Sequence, residues 1–133
     1  MKIIATSLFV DDQEKAKQFY TTQLGFELKH DIDLGAARWL TVVEHDSDNP
    51  VEIVLEPNQN PIAQDYQTRL FDSGIPATMF GVDDLEATYQ ALTAKGITFT
   101  QAPTTMGEVK LAVFDDTCGN LIQIIEHISI GKV

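Results

Sequence analysis

The sequence predicts an α+β domain of two tandem βαβββ modules, and three observations carry that prediction. A helix-start signature occurs twice, a helix-ending glycine follows each, and three strand-like runs follow each glycine. In the first copy Val10-Asp11-Asp12 precedes Ala16, Phe19, Tyr20 and Leu24, apolar positions spaced along one helical face. Asp11 with Glu14 fits a capping box, in which the first carboxylate accepts an orphan amide and the second reaches back. Gly25 supplies the left-handed residue that ends a helix. In the second copy Val82-Asp83-Asp84 precedes Leu85, Tyr89 and Leu92, Asp83 with Glu86 repeats the box, and Gly96 ends the helix.

Each half then reads strand, helix, strand, strand, strand. Runs rich in aliphatic and aromatic residues place the first four strands at 3–10, 26–30, 38–43 and 51–56, and the second four at 77–82, 97–101, 108–114 and 121–125. The helix starts lie 72 residues apart and the stops 71. Carrying 71 onward pairs Leu40 with Leu111, Val42 with Val113 and Ile53 with Ile124, and so Glu52 with Gln123. The 133 residues form one domain, with module one at about 1–57, a connector at about 58–76 and module two at about 77–133. Pro57, Asn58, Asn60 and Pro61 open the connector as a turn, and 64–71 reads as a short helix. The stretch 102–107, bounded by Pro103 and Gly107, reads as a flexible loop that could carry specificity. A single ferredoxin-like βαββαβ domain is the alternative, disfavoured because three strands follow each helix.

Composition narrows the class of partner. A hydrophobic fraction of 44% with 22% charged residues is that of a globular chain with a core to bury. Nine basic against 20 acidic residues leave a net charge of −11, which opposes binding to nucleic acid because phosphates would be repelled. No apolar run is long enough for a transmembrane helix, and Asp11 and Asp12 cut short the apolar N-terminal stretch, so it reads as a strand rather than a leader. One cysteine, Cys118, cannot close an internal disulfide, and a cytoplasmic location is expected. The nearby acids Asp115 and Asp116 also argue against Cys118 as a nucleophile, since they would raise the thiol pKa.

The order of elements, together with Phe19-Tyr20, Leu24-Gly25-Phe26 and the late Asp115-Asp116-Thr117-Cys118-Gly119-Asn120, resembles the vicinal-oxygen-chelate superfamily over nearly the whole chain. That superfamily includes glyoxalases, bleomycin-resistance proteins and extradiol dioxygenases. The resemblance implies that the two modules form a curved mixed sheet around a ligand cavity, commonly within a homodimer. In metal-using members the ligands come from the first and last strand of each module: His or Gln, then Glu, twice over. Laid on this sequence the pattern falls on Ala5, Glu52, Ala77 and Gln123. Two methyl groups and a carboxamide leave Glu52 as the one ordinary ligand, fewer than the three that a tight transition-metal site usually needs. No cofactor is therefore expected, and a divalent metal is disfavoured.

Strand alternation identifies the side chains that share the concave face. Ile4, Leu8 and Val10 of the first strand, and Val51, Ile53 and Leu55 of the fourth, face the helix; Ala5, Ser7 and Phe9, with Glu52, Val54 and Glu56, face away. Trp39 and Thr41 share that second face, and Met79 and Gln123 occupy it in module two. Ser7, Phe9, Trp39, Thr41, Glu52, Val54, Glu56, Met79 and Gln123 are thus the candidate ligand-binding residues, with Glu52 the candidate base. An indole can stack on a planar or cationic ligand, and a desolvated carboxylate can take a proton. Against the site reading, Glu52 could simply pair with Arg38 or a lysine. His30, His45 and His127 read as surface histidines, and Tyr20 and Tyr89 as core. The expected function is metal-independent binding of a small molecule, as in the drug-sequestering branch of the superfamily. The alternatives are a lyase or dioxygenase with a non-standard divalent-metal site around Glu52, Glu56 and Gln123, and a metal-free lyase or isomerase using Glu52 as base.

Overall fold

The computed structural model describes residues 1–127. The chain divides into two compact units, one comprising Met1–Arg69 with Thr117–Gly119, the other Leu70–Asp116 and the chain from Asn120 onward. In the first unit β1 (Ala5–Val10), α1 (Gln13–Gln18), β2 (Glu27–Asp33), β3 (Arg38–Val43) and β4 (Glu52–Pro57) follow in order. Its sheet has the order β1-β4-β3-β2, with β1 parallel to β4 and the other pairs antiparallel. After the connecting α2 (Pro61–Asp72), the second unit repeats the plan with β5 (Thr78–Gly81), α3 (Leu85–Ala94), β6 (Phe99–Met106), β7 (Val109–Asp115) and β8 (Leu121–His127). Its sheet has the matching order β5-β8-β7-β6. The fold is the expected α+β arrangement of two βαβββ modules. Among the described residues no helix is long and apolar enough to cross a membrane.

Each helix caps one sheet. Leu8, Val10, Leu40, Val42 and Leu55 are buried on the α1 side with Ala16, Phe19 and Tyr20. Ile4 was expected to join them but is exposed, because it precedes the strand and α1 is anchored at the opposite end. The anchor is Gln13, whose carboxamide donates to the Arg38 and Leu55 carbonyls, both at 2.8 Å, and accepts from the Arg38 amide. In the second unit Tyr89 meets Phe99 edge-on at 4.7 Å and Phe99 meets Phe114 at 5.5 Å, an aromatic core under α3.

Three local expectations need correction. The helix caps are one residue later than the capping boxes implied: Asp12 accepts from the Lys15 amide and Asp84 from the Ala87 amide. In each case the cap is the residue whose extended backbone aims its carboxylate at the third amide beyond it. Beyond α1 the chain widens into a π-helical turn, Phe19–Gln23, before Gly25 takes its positive φ of 85°. The expected loop 102–107 is mostly strand: β6 runs to Met106 and the hairpin turns at Gly107. Pro103 is tolerated because β6 is an edge strand and the ladder is irregular between Gln101 and Thr104.

The repeat register also differs from a constant 71. Ser7 stands opposite Val54, and Met79 stands opposite Gln123. Thr41 pairs with Val54 as Val113 pairs with Gln123. Val54, not Glu52, is therefore the counterpart of Gln123, at an offset of 69 residues, while Thr41 and Val113 keep 72. The cause is the loop 44–51, which is three residues longer than the loop 116–120.

The helix in the connector is longer than expected and is tied to the first unit by one buried side chain. Asn60 caps its start through the Ile62 amide, and Pro61 fits the first turn, where an amide would be orphaned anyway. Gln67, buried on α2, donates to the carbonyls of Phe9 (2.9 Å) and Cys118 (3.2 Å) and accepts from Asn58 (2.7 Å). Gly119 approaches so closely that a Cβ there would sit 2.8 Å from the Gln67 amide nitrogen.

Candidate functional site

The face of the first sheet turned away from α1 collects most of the residues expected there. Alternation and register align His30, Thr41, Val54 and Ser7 in one row across the four strands. Ile32 opposes Trp39 and Phe9 opposes Glu56 in the next row, while Ala5 opposes Glu52 on the other side. Thr41 and Val54 are buried at the centre of this face, and Trp39 at its rim is 40% exposed.

Glu52 is held from two directions. The Thr41 hydroxyl donates to Glu52 Oε1 at 2.7 Å. His30 Nε2 lies 3.7 Å from the same oxygen. The Glu52 side chain is 22% exposed and that of His30 40%, so the pair is partly desolvated yet open to a ligand. Glu52 lies diagonal to Thr41 across β3 and β4, a separation of about 7–8 Å that long side chains bridge.

Arg38, offered as a bland partner for Glu52, faces the other way. Its guanidinium forms two bonds to Asp31, at 2.9 and 2.7 Å, and a third to Glu14 at 2.9 Å. Lys17 adds a contact to Asp31 at 2.9 Å. The Arg38 bonds, and secondarily Lys17, hold the Asp31 carboxyl well below the usual carboxylate range. Hydrogen bonds from Gln18 and then Arg38 also lower Glu14. Beside this network lies an open cleft of about 450 Å³ lined by Gln13, Asp31, Asp33, Ala37 and Arg38, in which Asp31 and Arg38 are paired with each other and Asp33 accepts from the Gly35 amide.

The second unit presents Met79 exposed and Gln123 half-buried, opposite each other, with Val113 and Gln101 completing their row. This row carries amides and apolar groups where the first sheet has His30 and Thr41.

A sequence model of the Glyoxalase/Bleomycin resistance protein/Dioxygenase superfamily matches residues 2–124. The chain belongs to that superfamily. The uncharacterized protein YurT of Bacillus subtilis (strain 168) is 55% identical over 126 residues, covering 95% of this chain and 99% of YurT. Among solved structures, UcmS2 is 33% identical with a TM-score of 0.80, over 94% of this chain and 97% of its own. TnmS3, described as an antibiotic binding protein from Streptomyces sp. CB03234, is 27% identical with a TM-score of 0.76, over 96% of both chains.

Within this superfamily the donor set here does not fit the metal that the glyoxalase-type chemistry implies. Ala5 and Ala77 present methyl groups, and Gln123 stands opposite Met79. Among the described residues no three His, Cys, Asp or Glu side chains come together in a way that could hold a metal ion. His30 and Glu52 make two donors, one short of the usual minimum.

His30 is the site residue that sequence reasoning missed. The strand was expected to end there, but β2 continues to Asp33, and its regular pairing with β3 from Asp33 back to His30 sets the imidazole on the face of Thr41, with the irregularity falling between Leu28 and His30. The legible signal was the short hairpin: counting back one residue at a time from Asp33 opposite Arg38 brings His30 opposite Thr41. His45 pairs with Glu27 at 2.8 Å at the end of the same sheet. His127 ends β8, and its side chain lies outside the described residues.

Proposed function

We propose that the chain is a metal-independent small-molecule-binding protein, and that its ligand is a planar molecule carrying positive charge. The observation that carries this reading is the joint presentation of the exposed Trp39 indole and the anchored Glu52 carboxylate on one sheet face. Ile32 beside Trp39, and Phe9 on the same face, add apolar area for a flat ring. Glu52 and Glu56 supply counter-charge, while Arg38 and Lys17 are drawn to the opposite face by Asp31. A cation against an aromatic face gains roughly 0.5–2 kcal/mol, more as water is excluded. The antibiotic-binding description of TnmS3 supports a binding role without naming this ligand. The chain is proposed to act as a homodimer in the cytoplasm, with Met79 and Gln123 as further ligand contacts.

A second reading, a metal-free lyase or isomerase with Glu52 as base, draws support from His30 lying 3.7 Å away. It is the weaker one because proton abstraction next to a carbonyl moves negative charge from Glu52 onto the substrate, where Glu56 would oppose it.

Trp39 is the only tryptophan in the chain, so its emission reports on the site directly. Titration with N-methylquinolinium, a permanent planar cation, should quench Trp39 saturably, with much weaker binding of the neutral N-methylquinolone. Glu52→Gln should remove that preference. Equal affinity for the two probes, or a preference that survives Glu52→Gln, would contradict the reading.

A further inference from the structure

The imidazole of His30 shares one carboxylate oxygen with the Thr41 hydroxyl, and that carboxylate is the counter-charge assigned above to the ligand. We propose that His30 is the specificity-determining residue of this face, its protonation deciding whether Glu52 is offered to a cationic ligand. The inference rests on the ligand-binding reading of the face.

When His30 is neutral, Glu52 has one oxygen fixed by Thr41 and its charge unanswered, so an incoming cation is the favoured partner. When His30 is protonated, it becomes that partner itself. A ligand cation then meets repulsion from the imidazolium and competition for the same carboxylate. Histidine is suited to this because imidazole ordinarily changes charge between about pH 5 and 8. The other ionisable groups on this face are few. β4 adds Glu56, and Glu27 at the start of β2 is paired with His45. β3 contributes Trp39 and Thr41, and β1 contributes Ser7 and Phe9, none of which titrates in this interval. Lys17, Asp31 and Arg38 are bound to each other on the opposite face.

The consequence is proton-linked selectivity. Cation binding releases a proton from His30, and lowering the pH weakens binding of a permanent cation while leaving a neutral isostere nearly unaffected. A single charge interaction of ordinary strength gives roughly a tenfold change in affinity.

The test is equilibrium dialysis of N-methylquinolinium and of N-methylquinolone at about pH 8 and about pH 5.5, a window above the ordinary carboxylate range. Neither probe titrates, so any pH effect belongs to the protein. For the wild-type chain the cation should bind roughly tenfold more weakly at the lower pH, and the neutral probe should change little. In His30→Gln the ratio between the two pH values should collapse to about one. His30→Lys, permanently charged, should bind the cation weakly at both pH values. Substituting His45 or His127 by Gln should leave the wild-type ratio in place. Cation binding that is saturable but independent of pH would overturn the role of His30 while leaving the ligand-binding face intact. So would a pH ratio that persists in His30→Gln. No saturable binding of either probe at either pH would overturn the binding face, and the role of His30 with it.

Discussion

Asp31 and Glu52 lie on opposite faces of one sheet and show how a single residue step changes what a carboxylate does. Asp31 is spent on Arg38 and Lys17, whereas Glu52 is steadied by a hydroxyl on the face turned away from α1. Because Asp31 titrates below its usual range in the folded chain, its ionised form contributes stability at pH values above about 4, where the unfolded chain is also ionised. That contribution is lost as the pH falls through the depressed folded value. Asp31→Asn should therefore lower the melting temperature at neutral pH and flatten its decline as the pH falls below about 4, with the difference shrinking in high salt. Parallel acid limbs for the two proteins would contradict the assignment. At this scale the sequence disclosed Glu52, Trp39 and Thr41, because alternation along a strand is a strict rule. It hid His30, because two aspartates made the end of β2 resemble a loop and the strand was ended before the stretch whose pairing fixes the register.

The helices and hairpins were legible as elements and misplaced at their edges. Paired aspartates at both helix starts left the choice of cap open, and the backbone decided it in favour of the second. Asp12→Ala and Asp84→Ala should each cost about 1 kcal/mol by chemical denaturation. Asp11→Ala and Asp83→Ala should cost less than about half of that, since Asp11 makes only an exposed pair with Lys15. Equal losses at the two positions would return the cap to the earlier residue. The second half of the edge strand β6 was read as a loop because Pro103 and Gly107 are turn residues by composition, and only the irregular ladder reveals how a strand admits Pro103. The constant-offset reading failed for a related reason. An insertion in the loop 44–51 changes the offset beyond it without disturbing the apolar pattern, since aliphatic residues line both faces of β4 and β8.

For the molecule as a whole, the repeated βαβββ plan and the superfamily match fix the architecture, and the side chains on one sheet face give it a chemistry. The replacement of first-strand ligand positions by Ala5 and Ala77 was visible in the sequence and is what separates this chain from the metal-using pattern. The net charge of −11 adds a long-range preference for cations that salt should weaken, while the stacking contribution of Trp39 should persist. The decisive measurement is dialysis of N-methylquinolinium against the chain in excess chelator, compared with chain incubated with zinc, nickel, manganese or iron and then desalted. Binding of equal affinity in all cases, reduced by Glu52→Gln to that of the neutral N-methylquinolone, is the outcome expected of a metal-independent site. Binding that appears only after metal loading, with about one metal retained per chain, would contradict it and place a metal beside Glu52.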